Sequence, residues 1–160
     1  MVMLGLKASA DPTQLATRLQ YHPEVFEFYT DETDFTPSGL RRLAAAVKEV
    51  KATSTDKIIL HHPMSYQGEH LEMIAPAGYQ PAIAEFLWRS TNELLQIAFD
   101  EDIQVLVHGS YGKETHKVLQ EYPNLAAAEE VLYHKLDQFS TLGQEHLMFE
   151  NSTSPLFYYG

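Results

Sequence analysis

The 160-residue sequence contains no cysteine. Disulfides, zinc–thiolate knuckles and thiol nucleophiles are therefore excluded. No apolar run approaches the ~20 residues that cross a bilayer, and Met1 to Ala10 carries no secretory pattern. No membrane association is expected, and a cytoplasmic location is. Positive charge is scarce: 11 Lys and Arg stand against 22 Asp and Glu, for a net charge of −11. Such a surface repels nucleic acid unless basic side chains are concentrated somewhere. Arg41, Arg42, Lys48 and Lys51 share one helical segment with Glu49 among them and read as a solvated face, so no nucleic-acid partner is expected. A glycine-rich phosphate loop is missing too. Lys7-Ala8-Ser9-Ala10, at the end of the first apolar run, has neither GxGxxG nor P-loop spacing, which counts against a nucleotide-binding Rossmann fold.

What is present is a repeating order of elements. With 44% hydrophobic and 11% aromatic residues, the chain can bury a core as a single domain over 1–160. Met3 to Ser9 reads as a first strand. Asp11-Pro12 then opens a short helix, since Asp caps and Pro suits the first helical position. Val25 to Thr30 is a second strand, and Thr36-Pro37 repeats the cap signal before a helix with Leu40, Leu43, Ala44, Val47 and Val50 on one stripe. Lys57 to His62 is a third strand. A long segment, 63–80, leads to a helix starting at Pro81. Ile103 to His108 is a fourth strand, followed by helical stretches over 113–121 and 124–142, and His146 to Glu150 is a fifth. Strand and helix alternating at this spacing predict parallel strands with helical crossovers.

Residue parity separates an open doubly wound sheet from a barrel. Ile103, Val105 and Val107 form one apolar face of the fourth strand, opposite Gln104, Leu106 and His108. Leu147 and Phe149 oppose His146, Met148 and Glu150, while Phe26 and Phe28 oppose Glu27 and Tyr29. A doubly wound sheet is apolar on both faces, whereas a barrel interior holds paired polar groups. Parity therefore predicts a partial (β/α) TIM barrel of the α/β class, with about five parallel strands and outer helices. Lys7 and Glu27 are candidate inner partners, and His108 and Glu150 face inward at the strand ends where barrels build active sites. On the third strand the pattern favours His61 inward, although a bend at Pro63 would present His62 instead.

His61-His62-Pro63 with Ser65-Tyr66, Val107-His108-Gly109-Ser110 and Phe149-Glu150-Asn151-Ser152 resemble the xylose isomerase-like TIM-barrel superfamily, which includes sugar and sugar-phosphate isomerases and epimerases and also endonuclease IV. The resemblance covers nearly the whole chain but only the N-terminal portion of such a barrel. It implies Glu150 as a metal ligand and part of an acid/base pair, and Asn151 as its orienter or a contact to a substrate hydroxyl. It implies His108 as a ligand, as in the endonuclease IV branch, or as a pocket residue, as in many isomerases. His61, His62 and Tyr66 are the other substrate-binding candidates.

Isomerisation beside a carbonyl needs a base and an electrophile for the enediolate, and an imidazole–carboxylate set suits Mn²⁺ or Zn²⁺. The family also draws Asp, His and Glu from strands six to eight, which this sequence lacks. The expectation is thus a sugar or sugar-phosphate isomerase/epimerase-like protein, with an incomplete site as it stands, that acts on a small carbohydrate and either self-associates or lacks its C-terminal half. The alternatives are an endonuclease IV-like phosphodiesterase and a non-catalytic partial barrel used for binding or assembly.

Each reading has a plainer rival. Glu150 at a strand end also suits a carboxylate that accepts from loop amides, and His108 suits a satisfied core histidine. Tyr66, Met73, Ile74 and Tyr79 in the long third loop suit a lid over a sugar or half of an interface, and His70 suits a lid-borne ligand.

Overall fold

In the computed structural model, residues 3–75, 80–109 and 117–150 are described. Five strands form one sheet: β1 (Gly5–Ala8), β2 (Val25–Tyr29), β3 (Ile58–His61), β6 (Gln104–His108) and β7 (Leu147–Glu150). Their order is β1-β2-β3-β6-β7 and every neighbouring pair is parallel. A hairpin of two-residue strands, β4 (Ser65–Tyr66) and β5 (Glu69–His70), stands apart from this sheet. The sheet does not close among the described residues, so the architecture is a partial TIM-type barrel with β1 and β7 at its edges.

The helices between the strands start where the caps predict. In α1 (Pro12–Leu19), Asp11 Oδ1 accepts from the amide of Gln14 at 2.9 Å. In α2 (Pro37–Thr53), Thr36 Oγ1 accepts from Gly39 at 3.1 Å. The third helix, α3 (Pro81–Glu101), ends where Asp102 turns left-handed at φ 51°. Asn124 caps α4 (Leu125–Gly143), and residues 117–119 ahead of it are helical. No described helix is long and apolar enough to cross a membrane.

The core lies between helices and sheet. Phe26, Phe28, Ile58, Leu60, Val105 and Val107 point to the helix side and are buried, against Leu43, Val47 and Val50 of α2 and Phe86, Leu94 and Leu95 of α3. The opposite face carries Lys7, Glu27, Ile59 and Gln104 in one row, then Tyr29, His61, Leu106 and Met148, then His108 beside Glu150. Ionisable groups thus run up the inner face through all three rows, from Lys7 and Glu27 through His61 to His108 and Glu150.

Over its described residues the long third loop begins as a hairpin, and Met64, Ser65 and Gly68 of it border a cavity at the strand ends. Gln67 and Gly68, both at positive φ (52° and 80°), close the β4–β5 hairpin with the backbone signs of a type I′ turn. The chain then returns to the core, where Met73 and Ile74 are buried. They are packing residues rather than a cover for a ligand, and the Tyr122 hydroxyl donates to the Ile74 carbonyl. Tyr79 lies outside the described residues. The basic residues of α2 are partly neutralised: Arg42 pairs with Asp34 at 2.8 Å, and Lys48 and Lys51 reach Glu101 at 3.5 and 3.4 Å.

Candidate functional site

The end of β3 is held from both sides. Thr30 donates to the His61 carbonyl through Oγ1 at 2.7 Å, and the His62 amide donates to the Leu106 carbonyl at 2.8 Å. With its backbone pinned, His61 turns inward and His62 turns toward the helices. Pro63 follows without reversing that order.

His61 is buried and meets two other groups. Its Nε2 lies 2.8 Å from Nε2 of His108, their rings crossing at 67°. Glu150 Oε2 is 3.4 Å from the first nitrogen and 3.2 Å from the second. The three side chains come from the C-terminal ends of three adjacent strands. Burial holds the His61 pKa below its usual value, and Lys7 lowers it further, against Glu27 and Glu150. Burial also lowers that of His108, against the attraction of Glu150. Two imidazoles that burial keeps neutral and a carboxylate therefore converge on one spot, with no more than a single proton to share between the two Nε2 atoms.

That donor set suits a divalent cation. Two donors bonded at about 2.0–2.1 Å to one ion stand about 2.8–3.4 Å apart, between right-angled and tetrahedral geometry. The separations of 2.8, 3.2 and 3.4 Å lie on or near that range. Depressed imidazole pKa values favour the ligating form, since a protonated ring cannot coordinate. The trio is the group of His, Asp and Glu among the described residues that could hold an ion in this way.

Below the trio, Lys7 Nζ and Glu27 Oε1 pair at 2.6 Å, joining the residues that parity placed inside. A cavity of about 540 Å³ opens beside them at the ends of β1 to β3. Its wall includes Lys7, Tyr29, Asp31, Glu32 and His61. It is large enough for a monosaccharide, and its rim carries more acid than base.

The other sequence candidates fall elsewhere. The His62 ring is 2% exposed and engaged at both nitrogens. Nδ1 faces the Pro63 carbonyl at 2.9 Å, and Nε2 lies 2.6 Å from Ser90 Oγ, whose hydroxyl also donates to the Phe86 carbonyl. Burial pushes its pKa down to about 3. His62 is thus held by structural contacts at both nitrogens, although it also borders the cavity beside His61. The Tyr66 ring stacks on Phe86 with centroids 4.0 Å apart, and it is not among the residues that line the cavity. It packs the hairpin on α3. His70 sits in β5, outside the trio. Asn151 and Ser110 lie outside the described residues. Reading the sequence for ligands missed His61 as the trio's third member; the signal was the parity of β3. It also missed Ser90, which no local pattern ties to His62.

No protein-family model matches the sequence, and no curated protein matches it. Among solved structures the chain is similar to a D-tagatose 3-epimerase-like protein, with a TM-score of 0.63 at 14% identity. The match covers 94% of this chain and 53% of the other, so the chain spans about half the length of that protein. The five-stranded sheet with its outer helices therefore shares the fold of about half of that protein.

Proposed function

We propose that this chain forms the cation-binding half of a sugar isomerase or epimerase. The observation that carries the reading is the convergence of His61 Nε2, His108 Nε2 and Glu150 Oε2 within 3.4 Å of one another beside a sugar-sized cavity. The fold shared with a D-tagatose 3-epimerase-like protein supports it. Mn²⁺ or Zn²⁺ fits the donor set. A bound divalent cation supplies the positive charge that stabilises an enediolate. The residues of the chain do the rest. His61 and His108, neutral by burial, hold the cation through Nε2. Glu150 brings the negative charge of the set, and its carboxylate is half-exposed. Asp31 and Glu32 offer acceptors to sugar hydroxyls at the rim. Those carboxylates favour an uncharged sugar over a sugar phosphate, because a phosphate entering there meets like charge.

The reading includes a covering partner. The edges of β1 and β7 are open, and Ile59, Leu106 and Met148 on the inner face are half-buried apolar side chains. A second copy of the chain, or further strands, covers them.

Incubation of the Mn²⁺-loaded chain with ketohexoses in D₂O tests the function. Solvent deuterium is expected at the carbon next to the carbonyl, with a loss of at least ~100-fold in Glu150→Gln, given that general acid–base and metal contributions are each this large. Light scattering on the same sample is expected to give a mass above that of one chain. Incorporation that is absent, or equal in Glu150→Gln, sinks the reading.

The runner-up is a phosphodiesterase of the endonuclease IV kind. The two-imidazole ligand set, completed by His61, favours it. The net charge of −11 and the acidic rim oppose it. Cleavage of abasic DNA by the loaded chain, without deuterium exchange into sugars, would select it.

A further inference from the structure

The ring of His61 is contacted on both sides, and the side away from the trio sets what the trio can do. Lys7 Nζ stands 3.3 Å from His61 Nδ1, and Glu27 Oε1 stands 3.6 Å from the same atom. The two also pair with each other at 2.6 Å. An ammonium only donates and an ionised carboxylate only accepts. Lys7 therefore requires a lone pair on Nδ1, whereas Glu27 requires a proton there. A neutral imidazole has a single N–H, so whichever neighbour prevails at Nδ1 also decides the state of Nε2.

In this structure Lys7 is within hydrogen-bonding range and Glu27 is just beyond it. His61 is then the Nε2–H tautomer, with that proton turned to His108 Nε2 at 2.8 Å. This tautomer cannot ligate a cation through Nε2. For coordination the proton must be on Nδ1, where Lys7 cannot accept it and Glu27 can. Both side chains reach solvent, with 46% and 28% of their surface exposed, so a small movement exchanges them.

We propose that Lys7 and Glu27 together select the tautomer of His61: Lys7 holds the metal-free form with the proton on Nε2, and Glu27 accepts from Nδ1 when a divalent cation occupies Nε2. This rests on the metal reading above. The imidazole is neutral before and after, since one proton leaves Nε2 to water and one arrives from water at Nδ1. Glu27 is a positioning residue, holding the ring in its ligating form as carboxylates behind metal-bound histidines do. Lys7 is its opponent, which makes the empty site self-satisfied.

Long-range ¹H–¹⁵N correlation spectra of the full chain labelled on histidine nitrogen read the tautomer directly. The metal-free wild type is expected to show a pyrrole-type Nε2 for His61. Lys7→Met is expected to move the proton to Nδ1, and Lys7→Arg, which keeps a donor, is expected to leave it on Nε2. Added Zn²⁺ is expected to give the Nδ1–H form in the wild type. By titration, Zn²⁺ affinity is expected to fall 10–100-fold in Glu27→Gln, the usual range for such partners, and to rise in Lys7→Met. A metal-free Lys7→Met protein that keeps its proton on Nε2 overturns the proposal, as does an equal fall in affinity for both variants. A wild type that takes up no Zn²⁺ overturns the hand-over together with the metal reading, while the metal-free spectra still decide the part assigned to Lys7.

Discussion

Two adjacent histidines in this chain have opposite fates, and the difference is which nitrogens find partners. His61 presents Nε2 to His108 and Glu150. His62, one residue on, spends both ring nitrogens on Ser90 and the Pro63 carbonyl. Strand alternation requires that they diverge but not which way, because Pro63 could have rotated the end of the strand. The decision lies in Ser90, 28 residues away on α3, and in Thr30, which fixes the His61 carbonyl. Neither is visible in the local sequence. His62 also has a consequence for pH. Its folded pKa, about 3, lies below its ordinary 6.5, so the folded chain keeps it neutral while the unfolded chain protonates it. Its contribution is whole above pH 6.5 and is lost as the pH falls toward 3. Denaturant melts of wild type and His62→Gln from pH 7 to pH 4 check this. The wild type should lose at most about 3 kcal/mol across that window, since only about 2.5 of the pH units below 6.5 are crossed by pH 4. The variant should start less stable and lose distinctly less. Parallel pH profiles for the two proteins would refute it.

Helix starts and strand cores were legible because each rests on a local rule. Asp11-Pro12 and Thr36-Pro37 cap α1 and α2, and apolar parity marks the helix-side faces of β2 and β6. The β4–β5 hairpin was not legible: strands of two residues show no alternation, and Gln67 is an uncommon residue at positive φ. The junction of α4 and β7 carries a further constraint. A side chain at Gly143 would collide with the Cβ of Leu147, the first residue of β7, so the glycine lets helix and strand approach closely. Three residues beyond Leu147 stands Glu150. Gly143→Ala is expected to cost about 1–3 kcal/mol, as overpacking does. It is also expected to weaken Zn²⁺ binding by displacing β7 against β6. Thermal melts and a Zn²⁺ titration check both; a variant as stable as the wild type shows that the junction has slack.

At the scale of the whole molecule, the sheet sorts its side chains by face. The helix side is apolar throughout the middle strands, and the inner side carries Lys7, Glu27, His61, His108 and Glu150 in contact from β1 to β7. That sorting follows from the period of two along a strand, which is why the partial barrel and the inward placement of His108 and Glu150 could be read from the sequence. Distances between strands could not, because register depends on how α2, α3 and α4 seat against the sheet. The central claim is that three of these side chains make one cation site. Crystals of the chain grown with Mn²⁺ or Zn²⁺, measured at the metal's absorption edge, test it most directly. A single anomalous peak is expected within about 2.0–2.2 Å of His61 Nε2, His108 Nε2 and a Glu150 oxygen. A peak elsewhere, or three side chains bonded only to one another in metal-soaked crystals, contradicts it.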